Sequence, residues 1–421
     1  MVESTPVKSD TPSPPETASG GWKPDFPDGG LQAWSVAVGA AGLLFCSFGY
    51  INSFGVYQEY YQTHQLADKS PEQISWLGSL QVFFLFSGTL LGGPLFDRYG
   101  STIVWPSSLT FVFAVMMTSL CKEYYQFMLA QGLLEGLSSG MIMAPGLAAV
   151  SHYFFKNRST ALGIAVGGSS LGGVIFPIAL TKMLNHASLG FGWAVRICGF
   201  IMLAVLLVSS AVVRPRLPPR RKKIFLPSAF TDAHFTGLIA CNFFLSIGLF
   251  IPMFYLPSYA MHNHALSTTL SQYLVAILNA ASFFGRILLG ILADRLGRLN
   301  VLCVAALTTA VLCFCWTKAT SAAAIIVFAA VYGFTSGAVV SMLSACFAQV
   351  PRDPRNIGTY MGMGMFCVAF GALIGTPISG VLVSWHGFWE ASVFAGMAIL
   401  VGGLMVPAVK TLAGKGILSR F

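Results

Sequence analysis

Charged residues are scarce in this chain. Of its 421 residues, only 9% are Asp, Glu, Lys or Arg, while 55% are hydrophobic. Soluble globular proteins carry about 25% charged residues, so this composition excludes an ordinary soluble protein. A charge at the centre of a membrane helix costs about 2.5–3.5 kcal/mol. The shortage of charge therefore predicts that most of the chain faces lipid.

The sequence also lacks the motifs of metal sites and of nucleotide chemistry. Its nine cysteines are scattered, without CxxC or Cys/His ligand spacing, and are predicted to be small apolar packing residues. No phosphate-binding glycine loop and no nucleophile elbow occurs. We therefore expect no enzyme, no catalytic residue, no metal site and no cofactor.

Long apolar runs make up most of what is present. A helix that spans a bilayer needs about 20 apolar residues, because lipid offers no partners to backbone polar groups. The sequence predicts twelve such segments, at roughly 33–57, 73–95, 102–120, 124–150, 158–182, 191–213, 234–260, 268–292, 299–317, 323–347, 358–384 and 391–409.

The basic residues predict how these segments are oriented. Eighteen of the 24 Lys and Arg residues lie in the two tails or in loops after even-numbered segments, and four lie in the other loops. Basic loops remain cytoplasmic, so both termini are predicted to be cytoplasmic. The net charge of +9 follows from this asymmetry and does not indicate a nucleic-acid partner.

An internal repeat predicts the domain organisation. The octet GPLFDRYG at 93–100 recurs as GILADRLG at 290–297, six segments later. Two parallel halves with a site between them are a transporter architecture. We predict a disordered cytoplasmic tail at 1–30, a six-helix half at 31–213, a basic cytoplasmic linker at 214–232, a second six-helix half at 233–409 and a cytoplasmic tail at 410–421.

The two octets resemble the signature loop of the major facilitator superfamily. In that family the loop is a cytoplasmic latch, whose acid pairs with bases and with a helix end across the half. The resemblance implies an all-α integral membrane fold of twelve helices in two parallel-repeat halves. It also implies gating roles for four residues of the octets, Asp97, Arg98, Asp294 and Arg295, and for Arg298, which follows the second octet.

Two further stretches resemble the paired signatures of the monocarboxylate porter family. One is DGGLQAWSVAVG, which begins at Asp28, and the other is YFFKNRSTALGIAVGGSSLGG at 153–173. The stretch NSFGVYQEYY at 52–61 resembles the fungal branch of that family. The resemblance covers the whole membrane portion, and its motifs are specific to the family but not to a substrate.

Arg286 is the first candidate for binding the substrate. It lies eight residues before Asp294, about 12 Å into its helix, and an ionisable residue at such depth is a functional candidate. Its guanidinium offers a fork for a carboxylate, and the family has an arginine at this place that engages the substrate anion. A structural arginine that bonds backbone carbonyls is the alternative.

Two charges that accompany this arginine in the family are absent here. The family aspartate one turn before it is replaced by Ser282, and the family lysine of helix 1 aligns with Asn52. Asn52 could still hydrogen-bond a polar substrate. Three further residues are candidates for lining the same cavity, and the two amides among them could equally hold helices together: Asn279, Gln81 and Tyr57.

Glu135, in the middle of segment 4, is the candidate for proton coupling. Burial disfavours the charged form of a carboxyl, so Glu135 could bind and release a proton during transport. It could instead pair with Arg286 when no substrate is bound, or be a protonated structural residue bonded to a neighbouring helix.

Two transport hypotheses follow. The first is proton-linked movement of a small organic acid by alternating access, with Arg286 as the anion clamp. The second is efflux of a larger, less charged secondary metabolite of a fungal pathway, which the missing family charges and the 34 Phe residues favour. A transporter-like nutrient receptor is disfavoured by the short tails. We expect a monomer in the plasma membrane, with the substrate, protons and the lipid bilayer as its partners.

Overall fold

The computed structural model describes residues 26–186, 189–220, 224–263, 266–412, 414 and 416. The predicted disordered tail before residue 26, the basic run at 221–223 and residues 417–421 of the C-terminal tail lie outside the described residues. Within these ranges the regular structure is entirely helical. The α-helices are α1 (Leu31–Ile51), α2 (Phe54–Thr63), α3 (Pro71–Tyr99), α4 (Val104–Thr118), α5 (Tyr124–Phe127), α6 (Gly136–Tyr153), α7 (Arg158–Leu184), α8 (Gly190–Val212), α9 (Ala233–Leu249), α10 (Ile251–His262), α11 (Thr268–Leu296), α12 (Arg298–Cys315), α13 (Ala322–Phe347), α14 (Ile357–Trp385) and α15 (Phe388–Leu412).

The helices are long and apolar enough for a multi-pass membrane protein. In the described part of the chain, eleven helical stretches could cross a bilayer. One of them, Glu72–Thr118, has 47 residues and contains both α3 and α4, which are separated by a 3₁₀ turn at Gly100–Ile103. A single straight helix of that length would measure about 70 Å, more than twice the ~30 Å hydrocarbon core.

Several helices begin at the polar residues that the sequence provides. Ser70 and Gln73 form a reciprocal capping box at the start of α3, with bonds of 3.2 and 3.1 Å. Ser267 and Ser321 cap α11 and α13 through their side-chain oxygens. These caps satisfy backbone N–H groups that would otherwise lack partners.

Two predicted segments are each divided into two helices. The segment predicted at 33–57 is broken at Asn52, where α1 ends and α2 begins. The segment predicted at 234–260 is broken between α9 and α10, and Pro252 occupies the first turn of α10. Proline fits a first turn because its missing N–H has no helical partner there.

Glycine allows the helix backbones to touch. A Cβ atom on Gly168 of α7 would lie 2.0 Å from the carbonyl oxygen of Ala41 in α1, and one on Gly49 would lie 2.8 Å from Cα of Gly172. In the second half of the chain, a Cβ on Gly333 of α13 would lie 2.2 Å from the carbonyl oxygen of Leu278 in α11. Close approach of this kind drives helix association in lipid.

We call the helices before the linker, α1–α8, the first half, and those after it, α9–α15, the second half. The two halves meet along two seams. One seam joins α3 to α14 and the other joins α7 to α11. In the first, the Thr89 hydroxyl donates to the carbonyl of Gly362 over 3.2 Å. Both octets lie at the same end of the bundle, which we call the octet face. We call the other end, with the loop at 64–70, the opposite face.

The α1–α7 contact gives a stability prediction. We expect Gly168→Val to lower the free energy of unfolding by about 1–3 kcal/mol, because the added side chain would overlap the backbone of α1. Thermal unfolding of the detergent-purified protein would measure the loss. Gly55→Val is the matched control, because a Cβ atom on Gly55 meets nothing within 4 Å; equal losses in the two variants would contradict the prediction.

Candidate functional site

The first octet binds a helix of the other half. Asp97 is buried at the end of α3 and accepts hydrogen bonds from the first turn of α14. Its Oδ1 accepts from the backbone N–H of Gly358 at 3.1 Å. Its Oδ2 accepts from the backbone N–H and the hydroxyl of Thr359, both at 2.7 Å. A carboxylate at a helix N-terminus is favoured by the unpaired N–H groups and the helix dipole. We call these three residues the first latch.

The second octet makes the same contacts in the reverse direction. Asp294, at the end of α11, accepts from the first turn of α7: its Oδ1 accepts from the N–H of Ser159 at 2.9 Å. Its Oδ2 accepts from the N–H and hydroxyl of Thr160 at 2.8 and 2.7 Å. We call these three residues the second latch. Each half thus provides the cap for one helix of the other half, and the two latches close the octet face.

The glycines of the octets make these contacts possible. A Cβ on Gly93 would lie 2.0 Å from the carbonyl oxygen of Gly358, and one on Gly290 would lie 2.8 Å from that of Ser159. The last glycines, Gly100 and Gly297, have φ values of +65° and +98°. A side chain rarely adopts this conformation, which ends each helix directly after the latch.

A buried arginine accompanies each latch. Arg298 follows the second octet, lies 3.7 Å from the carboxylate of Asp294, and donates to the Ser159 hydroxyl and to the carbonyl of Phe155 at 2.9 and 2.8 Å. The first octet is followed by Ser101 instead. There the arginine comes from the linker, as Arg220.

Arg220 joins the linker to the first latch. Its backbone N–H donates to the carbonyl of Asp97 at 2.8 Å, and its guanidinium donates to the side chain of Asn356, just before α14, at 2.9 Å. Burial lowers the pKa of Arg220, and the carboxylates of Asp97 and Asp353 act in the opposite sense. This linker residue was not singled out as a site residue from the sequence, because no pattern in 214–232 distinguishes it from five neighbouring basic residues.

The other two octet arginines lie elsewhere. Arg98 is exposed and its guanidinium lies over the ring of Tyr99 at 5.5 Å, while Arg295 is also exposed. Among the described residues, neither contributes a hydrogen bond or ion pair to a latch. Their gating role remains a prediction.

The two porter-like signatures contact each other. Oδ1 of Asp28 accepts from the backbone N–H groups of Phe155 and Lys156, both at 2.7 Å, and of Asn157 at 3.3 Å. The start of α1 is thereby bonded to the loop that leads into α7. Arg158, the first residue of α7, donates to the carbonyl of Ala348 in the other half at 2.9 Å.

A central cavity lies between the halves. It has a volume of about 20 Å³, which is room for about one water molecule. Asn52 is a wall residue from the first half, while Asn279, Ser282 and Tyr332 come from the second. Among the described residues that line the cavity, Arg286 is the charged one, and most of the others are apolar.

Arg286 crosses from α11 to α7. Its guanidinium donates to the carbonyl of Val166 and to the hydroxyl of Ser169, and its Nε has no hydrogen-bond partner among the described residues. In the described part of the chain no ion pair joins Arg286 to Glu135. The structure therefore holds Arg286 on backbone and hydroxyl oxygens at the cavity wall.

Asn52 and Asn279 are brought together, whereas Gln81, Glu135 and Tyr57 lie in a separate cluster. The amide of Asn52 donates to the side-chain oxygen of Asn279 at 3.5 Å, across the two halves. Gln81 donates to the carboxylate of Glu135, and both are fully buried. Tyr57 is buried beside them within the first half and does not line the central cavity.

Thr160 and Thr359 are latch residues that were not singled out from the sequence. A signal does exist: both follow an Asn by three residues, in NRST at 157–160 and NIGT at 356–359. The two Asn residues occupy the N-cap positions of α7 and α14. The sequences at the starts of helices repeat between the two halves, as do those at the helix ends, and this repeat identifies both threonines.

Comparisons with known proteins agree with this architecture. The chain matches the family model described as Major Facilitator Superfamily over residues 36–362 and 238–413. It is 49% identical to the aspyridones efflux protein of Emericella nidulans, over 93% of this chain and 80% of that one. It is 41% identical to the agnestins efflux protein of Paecilomyces divaricatus, over 100% and 98% of the two chains.

Solved structures share the fold at low sequence identity. The crystal structure of the human organic anion transporter MFSD10 aligns with a TM-score of 0.72 and 16% identity, over 90% of this chain and all of that one. The transporter FucP in its outward conformation aligns with a TM-score of 0.66 and 14% identity, over 87% and 98%.

The latches give a conformational prediction. We expect Asp97→Asn and Asp294→Asn each to reduce the population with a closed octet face by about 5- to 150-fold, because an NH2 group replaces one accepting oxygen and an N–H group left without an acceptor costs about 1–3 kcal/mol. Spin labels at Arg98→Cys and Arg295→Cys, in a background where Cys315 is serine, would report the separation of the halves. Asp232→Asn is the control, since Asp232 caps α9 within its own half; an unchanged distance distribution in both latch variants would contradict the prediction.

The linker arginine gives a second prediction from the same measurement. We expect Arg220→Gln to shift the label distances in the same direction as Asp97→Asn, because a hydrogen bond that involves a charged group contributes about 1.5–3 kcal/mol. Arg214→Gln should leave them unchanged, because Arg214 is exposed and donates to the carbonyl of Ala211 at the end of the preceding helix, α8. Equal effects of the two substitutions would show that Arg220 acts only through the charge of the linker.

Proposed function

The chain belongs to the Major Facilitator Superfamily and is a membrane transporter rather than an enzyme, and we propose that it exports a fungal secondary metabolite that carries an acidic group. The export part of the proposal is supported by its relatives, which are named as efflux proteins for aspyridones, agnestins and fujikurins. The acidic group is supported by the position of Arg286 in the cavity wall.

The cavity is the observation on which the proposal depends. Both halves contribute to it, so a rocking motion of one half against the other would expose it to each side of the membrane in turn. Its lining combines one guanidinium, the paired amides of Asn52 and Asn279 and a mainly apolar remainder. This combination suits an amphipathic acid whose anionic group bonds Arg286 and whose apolar body contacts the remaining wall.

The transport cycle follows from the closed octet face. We propose twelve spans in two six-helix halves, with Glu72–Thr118 crossing the membrane twice. The latches would then hold the cavity closed on the octet face, which is cytoplasmic in the orientation that the basic residues predict. At about 20 Å³ the cavity is too small for a metabolite, so binding requires the halves to separate. A monomer in the plasma membrane is part of this proposal.

In the proposed transport cycle, the proton gradient supplies the free energy for transport, and Glu135 is the residue that binds the proton. The family model and the relatives indicate a transporter, and no nucleotide-binding motif occurs in the sequence, so an ion gradient is the expected source. Glu135 is a fully buried carboxyl within one half, where a change in its protonation would alter the cost of burial.

A small organic acid is the second candidate substrate. It is favoured by Arg286 and by the contact between Asp28 and the loop at 155–157, which joins the two porter-like signatures. The absence of the family aspartate and lysine at Ser282 and Asn52 argues against simple proton–lactate symport.

The test is mass-spectrometric flux in proteoliposomes. We expect aspyridones, agnestins or fujikurins to be transported when a proton gradient is imposed across the membrane. Lactate and pyruvate should not be transported. Arg286→Ala should reduce transport of the acid by about tenfold or more, since the lost interaction involves a charged group. Arg286→Lys should recover only part of it, because lysine keeps the charge and loses the planar fork.

The matched control is Arg196→Ala. Arg196 lies on α8 and bonds the Ser119 hydroxyl at 3.1 Å, away from the cavity lining. Movement of lactate or pyruvate alone would overturn the export proposal in favour of the second candidate. Equal transport by wild type and Arg286→Ala would show that Arg286 is a structural residue of the α7–α11 seam.

A further inference from the structure

A buried polar cluster lies in the first half, outside the lining of the central cavity. It contains three tyrosines, two glutamines and one glutamate, and all six side chains are 0–2% exposed. Four elements build it: α1, α2, α3 and the π-helical segment Met128–Glu135 that joins α5 to α6. The members are Tyr50, Tyr57, Tyr61, Gln81, Gln131 and Glu135.

The cluster is ordered along the membrane normal. Gln81 lies ten residues from the start of α3, about 15 Å from the opposite face, and its amide donates to Glu135. Gln131 precedes Glu135 by four residues and lies nearer the opposite face. There it accepts a hydrogen bond of 2.8 Å from the Tyr61 hydroxyl. Tyr61 itself is two residues before the end of α2, beside the exposed Thr63.

Two more tyrosines connect the outer and inner parts of the cluster. The ring of Tyr57 lies 5.7 Å from that of Tyr61, and the Tyr57 hydroxyl is hydrogen-bonded to that of Tyr50. Glu135 interacts electrostatically with all three hydroxyls. Among the residues that the structure describes, the other titratable groups that interact electrostatically with these tyrosines are Cys121 and Cys198.

In the described part of the chain, Glu135 and Gln81 each have one buried oxygen atom without a hydrogen-bond donor, and protonation of Glu135 would supply a donor. Oε2 of Glu135 and Oε1 of Gln81 both lack hydrogen-bond partners among the described residues, and both atoms are acceptors when the carboxyl is ionised. Buried acceptors without donors are costly. A proton on Oε2 of Glu135 would turn one of these two acceptors into a donor. Glu135 also ends a π-helical segment, a feature that often marks functional sites.

We propose that Tyr61, Gln131, Tyr57 and Tyr50 form a relay that delivers protons from the opposite face to Glu135 while the octet face is closed. The proton is taken from water near the end of α2. Each relay group releases one proton as it accepts another, so the only net change is that the Glu135 carboxylate becomes protonated. This proposal rests on the proton coupling proposed above and adds its route and direction. The purely structural alternative is that the cluster only holds α2 against α3 and the π-helical segment.

Infrared spectroscopy of the full chain in lipid tests the relay without a substrate. A jump from alkaline to neutral pH should produce a protonated-carboxyl band that Glu135→Gln removes. Tyr61→Phe removes the hydroxyl that bonds Gln131 and keeps the ring, and we expect it to slow the appearance of the band by about tenfold or more. Tyr57→Phe should act in the same direction and serves as the second variant if Tyr61→Phe does not fold.

Tyr60→Phe is the matched control. Its ring stacks on His64 and Phe191, and no hydrogen bond of its hydroxyl is found in the described part of the chain, so the rate should equal that of wild type. Unchanged rates in Tyr61→Phe and Tyr57→Phe would overturn the relay and leave the proton coupling standing. A spectrum without a Glu135 band at any pH would overturn the coupling itself. Equal slowing in all three tyrosine variants would indicate a packing role.

Discussion

The closed octet face depends on one interaction that is used twice, a carboxylate of one half bound to the first turn of a helix in the other. A helix start presents unpaired N–H groups and a positive dipole end, and Asp97 and Asp294 satisfy them from across the seam. The close approach this needs is provided by Gly93 and Gly290. Because the contacts are reciprocal, neither half can move away from the other at this face without exposing a helix terminus of its own and one of its partner.

Much of the fold was predictable from the sequence because lipid imposes simple rules. Segments of about 20 apolar residues locate the helices, and the predicted 158–182 and 299–317 correspond to α7 and α12 at Arg158–Leu184 and Arg298–Cys315. The breaks within two segments were not predicted. The break at Asn52 is a local turn within an apolar run, and the π-helical segment before Gly136 has no compositional signature of its own.

The candidate site was predictable in its residues and less so in its contacts. Arg286, Asn52 and Asn279 stand out as polar groups in apolar helices, and the structure places them around one cavity. Their partners could not be read from the sequence, since the bonds of Arg286 to Val166 and Ser169 join positions more than a hundred residues apart. Glu135 was open to three interpretations, and only the packing of α3 against the π-helical segment brings Gln81 to it.

The two latches obtain their buried arginines from different parts of the chain, so the first latch depends on an intact linker. The second octet carries its own base in Arg298, whereas the first obtains Arg220 from the connection between the halves. If the protein were produced as two pieces, divided between the first octet and Arg220, the second latch would keep its arginine. The first latch would have to bind Arg220 from the free end of the second piece. The linker is therefore part of the assembled bundle, and its proteolytic cleavage would weaken the α3–α14 seam more than the α7–α11 seam.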